Sequence, residues 1–247
     1  MTDLFLFQLR RIARSWQYLV FTVLLPALFT VFFTKIFGGQ AGGPAEYQAY
    51  AADYMVSMMA YGALGAALGA TIRLAFDRAS GWLRQLRVTP MTTGAVLGAD
   101  IAVGAVLVLP SLLVVALVGR FVNGVQLGAL TWLTLIAVLW AGSAAFVALG
   151  LLLGLALDER AAGGAIGILS IILAALGGLW IPVSLFPSGL AAVSRVMPSS
   201  WYGQLGRDVL AGKPPVVSGL VVLGFTVLFT AGALAVARRR PLHAVAG

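Results

Sequence analysis

The stretch RLAFDRASGWLRQLRVTP, residues 73–90, places five charged residues between two segments that have almost none. At the helical period of about 3.6 residues, its polar and apolar side chains fall on different sides. The polar stripe contains Arg73, Asp77, Ser80, Arg84 and Arg87, and the apolar side contains Phe76, Ala79, Trp82, Leu83 and Leu86. Gly81 weakens this helix in its middle, and Pro90 should end it near Thr89. The pattern predicts an amphipathic helix.

The rest of the chain has the composition of an integral membrane protein. Of its 247 residues, 61% are hydrophobic and 10% are charged, and the mean hydropathy is +1.01. Soluble domains carry about 25% charged residues. Apolar spans of roughly 20 residues consume most of the length, which favours a single polytopic domain over residues 1–247.

Hydropathy predicts an all-α protein with six transmembrane helices. The spans are Tyr18 to Thr34, Tyr54 to Ile72, Val96 to Val118, Leu130 to Leu157, Gly163 to Ile181 and Val216 to Ala237. The fourth is longer than a bilayer requires, so we expect it to be tilted or to extend beyond the membrane.

The distribution of Lys and Arg predicts the orientation. With the N-terminus inside, eleven of the 16 basic residues lie on the inner side and five on the outer side, as the positive-inside rule requires. Both termini and residues 73–90 are then cytoplasmic. The net charge of +8 therefore reflects membrane orientation, and we expect no nucleic-acid partner. A solvated face beside lipid headgroups would explain the arginines of residues 73–90, but not the neighbouring Trp82 and Leu83.

Two further segments are amphipathic. Residues 1–17 have apolar side chains at helical spacing and three arginines, which predicts an interfacial helix on membrane lipid; a simple topology anchor is an equal alternative. Residues 182–215 contain prolines that divide apolar pieces too short to cross a bilayer. Short re-entrant helices on the outer side, before the last span, would fit, and so would a plain amphipathic surface loop.

The sequence lacks the residues of several enzyme classes. There is one histidine, His243, and no cysteine, which leaves no catalytic triad and no thiolate metal site. No GxxxxGK[ST] phosphate loop occurs. We therefore expect no catalytic residues, no metal site and no ATPase activity in this chain.

The stretch DRASGWLRQLRVTP resembles the segment between the second and third spans of ABC-2 type exporter permeases. The matching residues are Asp77, Arg78, Gly81, Leu83, Leu86, Arg87, Thr89 and Pro90. Two positions depart from the family pattern: Ala79 replaces a common acidic residue, and Arg84 replaces a common glutamate. These departures affect the polar contacts to be expected there.

A second stretch, PVSLFPSGLAAVSRVMPSSWYGQLGRDVLAG, is similar to the outer segment of the same family before its last span. The matching residues are Pro182, Phe186, Pro187, Pro198, Tyr202, Arg207 and Asp208. The N-terminal LRRIARSW, followed by Pro26, also fits. The resemblance thus extends over nearly the whole chain.

The resemblance implies a bacterial cytoplasmic-membrane permease that forms a homodimer or a heterodimer with a related permease. It also implies two copies of a separate ABC ATPase, which bind ATP and Mg²⁺. Residues 73–90 would be the coupling helix that docks into this ATPase, with Trp82, Arg84 and Arg87 as anchors. The turn DERAAGG, with Asp158, Glu159 and Arg160, is a candidate second contact.

The resemblance also implies a transport pathway between two copies, lined by the first, second and fifth spans. Candidate contacts are Phe29, Phe33, Met58 and Met59, which could equally face lipid or fill the bundle. The apolar walls favour an amphiphilic drug, antibiotic or lipid as substrate, with efflux and antibiotic resistance as the outcome. Export of a lipid-linked polysaccharide, a stand-alone ion-driven transporter, a channel and a membrane anchor for a cytoplasmic partner remain alternatives.

Overall fold

The computed structural model describes residues 16–40, 42–71 and 93–239, and every regular element within these ranges is helical. The all-α class is therefore confirmed. The coupling helix over residues 73–90 and nearly all of the interfacial helix over residues 1–17 lie outside the described residues and stay predictions. This applies to Asp77, Arg78, Gly81, Trp82, Leu83, Arg84, Leu86, Arg87, Thr89 and Pro90.

Ten α-helices occur in the described ranges. They are α1 (Trp16–Leu19), α2 (Leu25–Gly38), α3 (Pro44–Thr71), α4 (Thr93–Phe121), α5 (Ala129–Gly142), α6 (Ala144–Ala156), α7 (Glu159–Leu176), α8 (Ser188–Ser194), α9 (Pro198–Leu210) and α10 (Val216–Arg239). A π-helical segment, Val20–Leu24, joins α1 to α2, and a 3₁₀ turn, Val183–Leu185, precedes α8.

Four of the six predicted spans fall on stretches long and apolar enough to cross a membrane. These are Val20–Gly38, Asp100–Phe121, Ala129–Ala156 and Val216–Arg239. The other two fall on α3, which has 28 residues, and on α7, whose apolar part is Ala161–Leu176. That α3 and α7 also cross the membrane stays a prediction.

Helix α3 lies at the centre of the core, which explains its modest hydropathy. Its residues from Met55 to Ala60 are almost all inaccessible to solvent, because α2, α4, α6 and α9 surround it. Small residues allow this close packing: a methyl group added at Gly62 would collide with the Ser111 hydroxyl on α4. A helix enclosed by protein needs fewer large apolar side chains than one facing lipid.

The fourth predicted span is interrupted. Helix α5 ends at Gly142 and α6 begins at Ala144, so that Ser143 forms a one-residue turn inside the 28-residue apolar stretch. The Ser143 hydroxyl donates to the Trp140 carbonyl at 2.6 Å. The predicted fourth span nevertheless coincides with one apolar stretch long enough to cross a membrane.

The π-helical segment is held in place by α4. Pro26 lacks the N–H that would bond to the Thr22 carbonyl in a regular α-helix. The hydroxyl of Ser111 donates to that carbonyl at 2.7 Å. Nearer the other end of α2, the side-chain amide of Asn123 donates to the Thr30 carbonyl at 2.9 Å.

Candidate functional site: a hub helix and an aromatic cluster

The segment predicted over residues 182–215 consists of one 3₁₀ turn and two short helices. Pro182 precedes the turn, Phe186 follows it, and Pro187 precedes α8. Pro198 is the first residue of α9, where a missing N–H costs nothing. Gly212, at φ 66°, follows the end of α9 in the left-handed conformation that glycine adopts without strain.

Helix α9 is tied to the bundle by side chains on its buried face, and we call it the hub helix. The hydroxyl of Ser199 donates to the Leu173 carbonyl of α7 at 2.6 Å. The hydroxyl of Tyr202 donates to the Leu139 carbonyl of α5 at 2.7 Å. Tyr202 is completely buried, and its ring meets that of Phe146 edge-on at 5.1 Å. The hub helix therefore contacts two helices of the bundle through fully buried hydrogen bonds.

A polar network links the hub helix to two more helices. Arg207 donates through Nη1 to the Ser57 hydroxyl of α3 at 3.3 Å, and through Nε to Gln204 Oε1 at 3.3 Å. Gln204 Nε2 donates to Asp208 Oδ1 at 2.7 Å. The Ser218 hydroxyl of α10 donates to Asp208 Oδ2 at 2.6 Å. The hub helix is thus bonded to α3, α5, α7 and α10.

The charge on Arg207 is retained within this network. Burial lowers the pKa of Arg207, while the neighbouring carboxylates of Asp53 and Asp208 oppose that shift. The Arg207 guanidinium is a cation at neutral pH, as arginine side chains in proteins are. A buried cation requires compensating partners, and Asp53, one turn before Ser57 on α3, supplies a negative charge.

Glycines allow the hub helix to approach its neighbours. A methyl group at Gly206 would lie 2.5 Å from Val56 Cγ1 of α3, and one at Gly203 would lie 2.9 Å from Leu179 Cδ2. Both distances are shorter than van der Waals contact. This close packing is what a re-entrant segment needs, although its depth relative to the bilayer stays a prediction.

An aromatic cluster lies between α2, α3 and the segment that follows α7. Its members are Phe29, Phe33, Tyr54, Tyr61 and Trp180. The ring centroids of Phe29 and Trp180 are 6.5 Å apart, and those of Tyr61 and Trp180 are 5.4 Å apart, both edge-to-face. Phe33 contacts Phe29 at 5.5 Å and Tyr54 at 5.4 Å. Such contacts stabilise each aromatic pair by about 0.5–1.5 kcal/mol beyond area burial.

Two polar atoms of this cluster are buried without a partner. The Tyr54 hydroxyl and the Trp180 indole N–H have no hydrogen bond to any described residue. Most buried polar side-chain atoms in proteins are hydrogen-bonded, so each exception requires an explanation. A bound molecule with polar groups could supply the missing partners.

The predicted pathway residues divide into two groups. Phe29 and Phe33 are half-buried members of the aromatic cluster, whereas Met58 and Met59 are fully buried in the core. The site residues predicted from the sequence do not include Tyr54, Tyr61, Trp180, Asp53 or Ser57. A signal existed for two of them, because Tyr54 and Tyr61 occur at helical spacing in the second predicted span, and Tyr50 precedes them by one turn.

The candidate second contact lies at the start of α7. Asp158 is the N-cap of this helix, and its Oδ1 accepts the N–H of Ala161 at 2.8 Å. The side chains of Glu159 and Arg160 lie outside the described part of the structure, and the role of this turn as a contact for a partner stays a prediction. Within the described residues, His, Cys, Asp and Glu form no group of three or more that could hold a metal ion.

Comparison with known proteins identifies the family. The family model described as ABC-2 type transporter matches residues 4–211. The chain is also 26% identical, over 226 residues and 90% of each chain, to a protein of Bacillus subtilis (strain 168) that bears the name transport permease YvfS. The match spans the hub helix and the aromatic cluster. The chain therefore belongs to the ABC-2 type transporter family and is a multi-pass membrane protein.

Proposed function

We propose that this chain is the permease subunit of an ATP-driven exporter, which moves an amphiphilic or hydrophobic substrate out of the cytoplasm or the inner leaflet. The observation that carries this proposal is the family match over residues 4–211, in a sequence without a phosphate-binding loop. Two copies of a separate ATPase would then bind ATP and Mg²⁺. The permease would pair with a second copy or a related chain in the bacterial cytoplasmic membrane, with its termini in the cytoplasm.

The connectivity supports transmission of force from such an ATPase. Residues 73–90 join the end of α3, at Thr71, to the start of α4, at Thr93. These two helices pack along each other: Gly119 of α4 lies against Met55, and a methyl group at Gly104 would be 3.7 Å from Thr71 Cγ2. Displacement of residues 73–90 would therefore move both helices together.

The aromatic cluster supports an amphiphilic substrate. Its rings offer an apolar surface, and Tyr54 and Trp180 offer two buried polar groups that are unsatisfied within the described residues. A substrate with a flat apolar part and a hydrogen-bond acceptor would match both features. Drugs, antibiotics and lipids meet this description, and the lipid portion of a lipid-linked polysaccharide meets part of it.

The coupling proposal is tested by co-purification with an ABC ATPase, encoded beside this chain, and by substrate-stimulated ATP hydrolysis in liposomes. Trp82→Ala and Arg87→Ala should weaken the complex and reduce stimulated hydrolysis at least tenfold while membrane insertion is unchanged. Arg120→Ala is the matched control, because Arg120 lies on the predicted outer side. Normal coupling in both test variants would contradict the docking role of residues 73–90.

The substrate site is tested separately with Tyr54→Phe and Trp180→Phe. Each change keeps an aromatic ring but removes an unpartnered polar group, so the apparent affinity for amphiphilic fluorescent dyes should fall 5- to 100-fold without loss of stability. Tyr202→Phe is the control, because its hydroxyl already bonds to Leu139 and its loss should affect stability alone. Unchanged dye affinity in both test variants would remove the cluster from the pathway.

The polar network around Arg207 is the feature that would suit an ion-driven transporter. Charges within a membrane are expensive and are usually kept for function, and Asp53 and Arg207 are both half-buried. If the purified chain moves dye into liposomes under a proton gradient without ATP, and Asp53→Asn abolishes this movement, the ion-driven alternative replaces the exporter.

A further inference from the structure

A groove of about 470 Å³ runs between α4, the α5–α6 pair and α10. Its walls share no residue with the aromatic cluster or the hub helix, so it is separate from the proposed transport pathway. Representative wall residues are Ile101, Trp140, Ala144, Val147 and Leu234. The groove opens to the surface of the bundle, since Ile101 and Leu234 are both about half exposed.

Small side chains on α6 and α10 leave space for the groove. On α6, wall residues occur at Ala144, Ala148, Leu151 and Leu155, and on α10 they include Ala233 and Ala237. In each helix these positions form one face. The alanines leave space that larger residues would fill.

The length of the groove matches one lipid chain. Along α10 the walls extend from Thr226 to Ala237, which at 1.5 Å per residue is about 16 Å. This is about half of the roughly 30 Å hydrocarbon core of a bilayer, or one leaflet.

The groove has an apolar wall and basic residues beyond one end, and these two features indicate the chemistry of its ligand. The Trp140 indole N–H donates to the Ala105 carbonyl at 2.8 Å, and the Thr226 hydroxyl donates to the Val222 carbonyl at 2.8 Å. These polar groups are therefore already engaged, and the wall they form is apolar. The groove ends at Ala237, directly before Arg238 and Arg239, which are both exposed. Arginine pairs well with phosphate oxygens.

From these observations we infer that the groove binds one acyl chain of an anionic phospholipid, whose phosphate is held by Arg238. The lipid belongs to the leaflet in which α10 ends. The site would couple the position of α10 relative to α4 and α6 to lipid composition, whether or not the chain is driven by ATP.

The test is native mass spectrometry of the purified chain in detergent, titrated with phosphatidylglycerol and, in parallel, with phosphatidylcholine. We expect one phosphatidylglycerol to be retained per chain at least tenfold more tightly than phosphatidylcholine. Ala144→Phe fills the groove and should weaken retention at least tenfold, whereas Ala137→Phe, on an exposed position outside the groove, should not. Arg238→Gln should weaken it roughly fivefold.

Three results would overturn the inference. Equal retention of the two lipids would rule out a contact between the protein and the phosphate. Equal retention by Ala144→Phe and Ala137→Phe would rule out the groove as the binding site. Conversion of a dimer to a monomer by Ala144→Phe, with lipid retention unchanged, would make the groove a subunit interface.

A second measurement does not depend on the folding of Ala144→Phe. Phosphatidylglycerol with brominated chains should quench Trp140 fluorescence in the unchanged protein, and Trp140→Phe should remove the quenched component. A quenched component that persists in Trp140→Phe would place the lipid elsewhere.

Discussion

Replacement of Gly206 by alanine provides a direct test of how the hub helix packs. A Cβ atom at this position would lie 2.5 Å from Val56 Cγ1 and 3.3 Å from Leu135 Cδ1 and Leu139 Cδ2. Val56 is completely buried, and its β-branched side chain has little rotamer freedom in a helix. The neighbour therefore cannot turn away, and α9 must move outward from α3. If residues 198–210 were a surface loop, the added methyl group would contact no neighbouring side chain.

The expected magnitude combines two opposing effects. Overpacking in a well-packed core costs about 1–3 kcal/mol, while alanine is favoured over glycine within a helix by up to about 1 kcal/mol. Gly224→Ala in α10 isolates the second effect, since no atom lies within 4 Å of the added Cβ. The two variants should therefore differ in unfolding free energy by about 1–3 kcal/mol, with Gly206→Ala less stable.

The assay is thermal unfolding in detergent, followed by the fluorescence of the six tryptophans, because the chain has no cysteine for a thiol-reactive dye. For a chain of this length the difference corresponds to between about 2 and 12 °C in the apparent melting temperature. Equal melting temperatures for the two variants would refute the close packing of the hub helix against Val56.

Two further predictions concern single hydrogen bonds and use the same assay. Tyr202→Phe should lower the unfolding free energy by about 0.5–1.5 kcal/mol. The loss is modest because the Leu139 carbonyl keeps the Ser143 N–H as a donor at 3.0 Å. An unchanged melting temperature would show that the Tyr202 hydrogen bond contributes nothing to stability. Asp158→Ala should cost about 1 kcal/mol by removing the N-cap of α7, whereas Asp158→Asn should retain most of that stability, and equal losses in both variants would argue against capping.

The sequence was sufficient for the class of fold and for four of the six apolar spans, because both depend on composition and on long apolar runs. The sequence was less informative for α3. This helix is enclosed by protein and not by lipid, so it needs fewer large apolar side chains and its hydropathy is lower. The one-residue turn at Ser143, with its hydroxyl bonded to the Trp140 carbonyl, lies within an apolar run of 28 residues. A hydropathy average over such a run does not show a feature of one residue. The partners of Tyr202 and Arg207 lie 63 and 150 residues away in the chain, so neither contact follows from local spacing.

The arrangement of the hub helix suggests where a transport cycle would meet resistance. Ser199, Tyr202, Arg207 and Asp208 form cross-helix hydrogen bonds to four different helices. In model membrane systems such bonds contribute about 0.6 to 2 kcal/mol each. Any movement that separates the hub helix from all four partners would therefore cost several kcal/mol. Tyr54 and Tyr61 of the aromatic cluster lie on either side of Ser57 along α3. An opening beside the cluster therefore requires either that energy or a concerted movement of the hub helix with its partners, which would leave the bonds intact.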